Sequence, residues 1–274
     1  MPDLMTLLPF AAILMAVGLF AGLLAGLLGV GGGIVLVPSF FYIFAHLGYE
    51  SPWLMQICLA TSLATIIVTS ARSLQAHARK GAVRWEVLRG WTPGIMFGAL
   101  CGVWLASELS SQFLQFLFGA LAFLIGLYMA FGKIDWRLGD EMPGLAARLS
   151  LSPVIGVLSV LMGIGGGSFG VPLMTLHGIP IHRAVATASG FGLSIAVPSV
   201  LAFLTLDIPA DVRPPFTVGA VNVAALILVI SMTLITAPMG ASLAHRLDPK
   251  PLRRIFAVFL GIVALNMLRG AVFG

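Results

Sequence analysis

Apolar residues run along this chain in stretches approaching 20, separated by short polar interruptions, with runs near 53–71, 90–106 and 113–131 the clearest in the N-terminal half. A helix of about 20 apolar residues crosses a hydrocarbon core about 30 Å thick, and these runs lack the alternation of a membrane-spanning strand. Lipid offers the backbone no partners, so helices that satisfy their own amides are the remaining way across. The pattern predicts an all-α polytopic membrane protein. Composition agrees: 59% of the 274 residues are hydrophobic and 9% charged, with a mean hydropathy of +1.06, where a soluble domain carries about 25% charged residues. The N-terminal MPDLMTLLPF lacks the basic region of a signal peptide, so the first apolar run is expected to be retained.

The 32 glycines fall inside the apolar runs rather than in polar linkers. Gly18, Gly22 and Gly26, and again Gly94, Gly98 and Gly102, stand four apart, a spacing that lets helices pack closely in lipid. The stretch GIGGGSFGVP, from Gly163 to Pro172, is different. A helix through Gly163, Gly165, Gly166 and Gly167 would cost about 4 kcal/mol relative to alanine, so a break is predicted there. The same motif occurs 134 positions earlier as GVGGGIVLVP, from Gly29 to Pro38. At a spacing of 138, Gly81-Ala82-Val83 matches Gly219-Ala220-Val221, and Gly102, Leu105, Ala106 and Leu109 match Gly240, Leu243, Ala244 and Leu247. The chain reads as a duplication, with repeats over 1–131 and 151–274 joined by a linker, 132–150.

Basic residues orient the repeats, because cytoplasmic loops carry the Lys and Arg excess. Arg72, Arg79, Lys80, Arg84 and Arg89 place 72–89 in the cytoplasm, while the equivalent LDIPADVRPP, with two aspartates and one arginine, belongs outside. The next pair reverses: Ser107 to Gln112 carries only Glu108, whereas His245 to Arg254 carries Arg246, Lys250, Arg253 and Arg254. Equivalent loops therefore lie on opposite faces, as in inverted-topology repeats. Of the fifteen basic residues only Arg213 and Arg269 are then external, and both termini are periplasmic. Residues 150 and 178 fall on the same face, and arms 151–163 and 168–177 reach only about 20 and 15 Å. Each repeat is expected to open with a broken or re-entrant helical hairpin, its glycine motif at the tip, followed by three spanning helices.

Non-helical backbone at membrane depth survives where it is buried in protein or lines a wet cavity. Glycines just before a helix present several N–H groups to one spot with the positive end of the helix dipole behind them, which suits an anion. Gly31, Gly32, Gly33, Gly165, Gly166, Gly167 and Ser168 are the candidates; the alternative is a tight crossing between the halves where any side chain would clash. Thr61 and Ser62 in ATS, and Thr187 and Ser189 in ATAS, stand early in the first full span of each half. Their hydroxyls would donate to an oxyanion beside the tips, or else bond to their own helix. Arg72 and Arg183, with His77, Arg79 and His182, surround the expected cytoplasmic mouth, which would raise local anion concentration; the orientation rule predicts the same residues without function. Arg84 and Asn222 occupy equivalent positions near helix ends, where capping or interhelical hydrogen bonding is the role expected of them. No Asp or Glu lies inside an expected span, which disfavours a cation substrate.

Other chemistries fit poorly. The net charge of +5 is explained by loops beside spans rather than by nucleic acid, and Cys58 and Cys101 supply neither a disulfide framework nor a metal site. Gly166-Gly167-Ser168-Phe169-Gly170 spells the GxSxG of a serine nucleophile turn, but the nearest histidine, His177, is about 15 Å along the arm and Ile34 replaces Ser168 in the first repeat. GIGGGS does not complete a dinucleotide fingerprint. No enzyme activity, cofactor or metal is expected. The partners expected are a small anionic substrate and the lipid bilayer, with a homodimer open, and a passive anion channel is the alternative to a carrier.

The two glycine motifs, ATS and ATAS, GAVN at Gly219–Asn222 and the terminal PMGASLAHRLDPKPLRRIFAVFLGIVALNML together resemble the TauE/SafE sulfite exporters, from about residue 10 to 270. The resemblance implies a permease of the bacterial inner membrane for sulfur-containing anions such as sulfite, thiosulfate or organosulfonates. It does not place a ligand role on both Arg84 and Asn222, because the residues differ.

Overall fold

A computed structural model describes residues 4–28, 32–132, 136–244 and 249–273. The chain forms α1 (Leu4–Leu28), α2 (Gly33–His46), α3 (Leu54–Arg79), α4 (Trp85–Glu108), α5 (Ser111–Phe131), α6 (Leu145–Leu161), α7 (Gly167–Leu176) and α8 (Ile181–Leu204). A two-stranded hairpin follows, β1 (Thr217–Val218) against β2 (Val221–Asn222), and then α9 (Val223–Ala244) and α10 (Pro249–Phe273). Among the described residues six helices are long and apolar enough to cross a membrane. The protein is an all-α polytopic membrane protein.

Helix α3 contains nearly all of the 53–71 run and continues to Arg79, while α4 and α5 enclose 90–106 and 113–131. Two boundaries differ from expectation. Helix α6 begins at Leu145, inside the stretch assigned to the linker, because Leu145 to Leu149 already continue its helical run. The first hairpin arm is also not short: α1 has 25 residues, about 37 Å, since no charge interrupts the apolar run from Leu4 to Leu28. In the second half α7, with 10 residues, is as short as the arm expected over 168–177, while α6, with 17, is longer than the arm expected over 151–163.

Helix packing keeps its pattern when the two halves are exchanged. Helix α1 lies along α9 as α6 lies along α4; α3 packs on α8, and α5 on α10. Glycine ladders sit at the first two crossings. A Cβ on Gly18 would stand 3.0 Å from the Val229 backbone and one on Gly22 2.8 Å from Thr233 Cα. Gly94, Gly98 and Gly102 face Ser152, Pro153 and Val157 of α6 in the same way. Without a hydrophobic drive between helices in lipid, such close backbone contact supplies the dispersion energy that holds them. Between α5 and α10 side-chain amides contribute: Gln112 Nε2 donates to Ala271 O (2.8 Å) and Gln115 Nε2 to Met267 O (3.1 Å). The segment before α6 is anchored to the end of α7, with the Leu138 N–H donating to Leu176 O at 2.7 Å.

Candidate functional site

The glycine break after α6 is built from two helix ends. Gly163 has φ +58, the left-handed region that favours glycine. Its N–H donates to Val160 O (2.8 Å) and that of Ile164 to Ser159 O (2.9 Å), a Schellman termination of α6. Three residues later Gly166 is the N-cap of α7, with no side-chain acceptor, and the Gly170 N–H closes the first turn on Gly166 O (2.8 Å). Helix α2 starts the same way, from N-cap Gly32 without a side-chain cap. Two helix N-termini, neither with a side-chain cap from its N-cap glycine, therefore place the positive ends of their dipoles deep in the protein.

These tips meet. A Cβ on Gly33 would collide with Gly163 O and stand 2.9 Å from Ile164 Cα and 3.0 Å from Ser62 Oγ. Ser62 Oγ donates to Gly163 O at 2.7 Å, tying α3 to the second tip. A Cβ on Gly165 would stand 3.4 Å from Ile66 of α3 and 3.8 Å from Gly192 of α8, and one on Gly166 would collide with Phe191. Gly32, Gly33 and Gly163–Gly167 are buried, and Ser168 is 6% exposed. The geometry brings Gly33 and Ser62 onto Gly163 and Ile164, while Gly165 and Gly166 pack on α3 and α8, Gly32 faces Ala21 of α1, and Gly167 and Ser168 open α7 beside them. Gly31 lies outside the described residues.

The two threonines sit elsewhere on the central helices. Thr61 Oγ1 accepts from the Asn222 N–H (2.9 Å), and Thr187 Oγ1 accepts from the Arg84 N–H (3.0 Å) while donating to Arg183 O (2.8 Å). Each is fully buried and stitches its helix to the loop before a helix of the other half. The expected interhelical roles of Arg84 and Asn222 are thus carried by their backbones. Ser189 Oγ donates to Ala186 O in its own helix at 2.6 Å. Arg72 and Arg183 are both exposed, near the end of α3 and the start of α8. His177 Nδ1 is 2.8 Å from Leu173 O, one turn back in α7, so the GxSxG serine has no histidine beside it from this helix.

Sequence reasoning passed over Gly192 and Ser70. A Cβ on Gly192 would collide with Ser70 Oγ across the α3–α8 contact beside Gly165. The spacing between Ala60-Thr61 and Ala186-Thr187 does point there, because it pairs Ile66 with Gly192. A separate depression of about 430 Å³ lies by the β-hairpin, lined by Tyr49, Asp211, Arg213 and Phe216.

A helical membrane bundle in which the start of one helix packs on a buried break after another is an architecture that membrane transporters use. The family model for sulfite exporter TauE/SafE matches residues 14–267, and the chain belongs to that family. A probable membrane transporter protein of Haemophilus influenzae is 30% identical over 260 residues, covering 94% of this chain and 98% of the relative. One from Methanocaldococcus jannaschii is 26% identical over 269 residues, 97% of each chain. No solved structure matches. The protein is a multi-pass membrane transporter and not an enzyme.

Proposed function

We propose that the protein carries small sulfur-containing anions, of the sulfite, thiosulfate or organosulfonate kind, across a bacterial inner membrane by alternating access about the two glycine tips. The observation that carries this reading is that two buried helix N-termini without side-chain caps, those of α2 and α7, lie about one crossing, where Gly33 of α2 packs on Gly163 and Ile164 just before α7. Amides and dipoles there favour negative charge, and no carboxylate in the surrounding helices opposes it. The family description supplies the sulfur chemistry. Packing that survives exchange of the halves, together with the opposite charge of equivalent loops, supports inverted repeats with periplasmic termini. The second repeat then begins at α6, after a linker on the basic face.

Uptake and counterflow in proteoliposomes with labelled sulfite, thiosulfate and small sulfonates test this. Saturable exchange of one anion, lost in Gly166→Leu, is the expected result. Failure of all of them to move through folded wild-type protein removes the substrate class, and exchange that persists in Gly166→Leu protein shown to be folded removes the tip site.

A further inference from the structure

The two central helices are not in equivalent surroundings. Every residue of α3 from Leu54 to Ile66 is buried, and from Ile67 to Arg79 none is. The change falls at the level of Gly165, where an added Cβ would meet Ile66 at 3.4 Å. Beyond it α3 carries Thr69, Ser70, Arg72, Ser73, Gln75, His77 and Arg79. Hydrocarbon does not accept such side chains, so this part of α3 meets water. In α8 the matching stretch, at the 126-residue spacing that pairs Thr61 with Thr187, is 193–205. There Ile195, Ala196, Ser199, Val200 and Phe203 are buried, and Ser199 is turned back onto Ile195 O at 2.7 Å. The start of α8, next to the open end of α3, is exposed at Ile181, His182 and Arg183 and half-buried at Val185 and Ser189.

We propose that this is the inward-open form of the carrier, with the α3–α8 seam as the inner half of the path and Ser70 as the first side chain an anion meets on leaving the tips. This rests on the two-repeat reading above. If the halves are inverted repeats, one arrangement of each half faces one side, and the difference between α3 and α8 is the difference between an open and a closed side. Ile66 and Gly192 are paired by the same spacing and face each other beside Gly165, so the pseudo-symmetry axis passes through the tips. On the open side of that level the half-buried Ser70 hydroxyl packs directly on the backbone of Gly192, beside Gly165, where it would donate to an oxyanion that has shed part of its water. On the closed side the matching residue is Ala196, fully buried, which offers no donor.

The test uses full-length protein with Cys58→Ala and Cys101→Ala, carrying Ser70→Cys, Ser73→Cys or Ser199→Cys, in membrane vesicles of known sidedness. A membrane-impermeant maleimide is expected to modify Ser70→Cys and Ser73→Cys from the face carrying Arg72 at least tenfold faster than from the other, and Ser199→Cys from neither. Methanesulfonate is expected to slow modification of Ser70→Cys at least threefold, and that of Ser73→Cys less. Modification of Ser70→Cys from the opposite face, or equal reactivity of Ser199→Cys, overturns the inward-open assignment; Ser73→Cys decides the same point if Ser70→Cys does not fold. Methanesulfonate that wild-type protein transports but that leaves Ser70→Cys unprotected overturns Ser70 as a contact. Sidedness does not depend on the anion, so absence of transport in the uptake assay with inner-face labelling intact removes the substrate class and keeps the open seam.

Discussion

The loop that leads into α4 and the loop that leads into α9 hold the same place in the two halves and solve it with different chemistry. Asn222, 2% exposed, is the N-cap of α9: its Oδ1 accepts from the Ala225 N–H (2.9 Å), while its Nδ2 donates to Pro215 O (2.8 Å) and Thr217 Oγ1 (3.0 Å). Arg84, at the N-cap of α4, makes no side-chain cap and reaches toward Glu86 at 3.9 Å, with 40% of its side chain exposed. What the two loops share is the backbone N–H, which in both cases donates to a buried threonine of the other half. The shared bond lies between the halves, and the side chains differ where one loop is sealed by a hairpin and the other is wet.

That comparison fails first at the tips. Gly33→Ala places a Cβ on the Gly163 carbonyl and Gly166→Ala places one on Phe191, neither of which can turn aside. Both are expected to lower the melting temperature of purified protein sharply, at a cost of about 1–3 kcal/mol or more, and to abolish uptake. Gly32→Ala, whose nearest neighbour is 3.4 Å away, is expected to melt like wild type.

Thr61→Val comes next, because it strands the Asn222 N–H in a buried loop, at about 1–3 kcal/mol. Thr187→Val strands the Arg84 N–H where water can reach it and is expected to cost less; equal losses in thermal melts would mean that the two loops are not differently wet. Asn222→Ala removes a cap and two donated bonds, for about 1–2 kcal/mol. Smallest is Arg84→Ala, expected to shift melting by less than about 1 kcal/mol, since exposed ion pairs contribute little.

The spans and the break at Gly163 were legible because each is a local property of composition. The glycine ladders were legible as packing, and α4 and α6 use one as expected. The partners of Thr61 and Thr187 were not, because the donor to each lies more than 100 positions away in the other half. A threonine two residues from a glycine tip in space and one that caps a distant loop look alike in sequence. Ser70 was missed for a similar reason: nothing in its neighbours in the chain distinguishes it from Thr69, whose hydroxyl bonds back to Thr65 O at 3.2 Å. The first arm is longer than the arms of the second half because no charge interrupts α1 from Leu4 to Leu28, whereas α6 carries Arg148 in its first turn.

The pairing of α1 with α9 has a consequence for how the protein is made. Helix α1 leaves the ribosome well before α9, the helix that receives its glycines, which follows roughly 200 residues later; at synthesis rates of about 5–20 residues per second that is a wait of roughly 10–40 s. During that time α1 must rest in the bilayer with its notched face against lipid. Its own hydrophobicity, uninterrupted by charge from Leu4 to Leu28, is what lets it stay there alone, while the shorter α6, which is made after its partner α4, never has to.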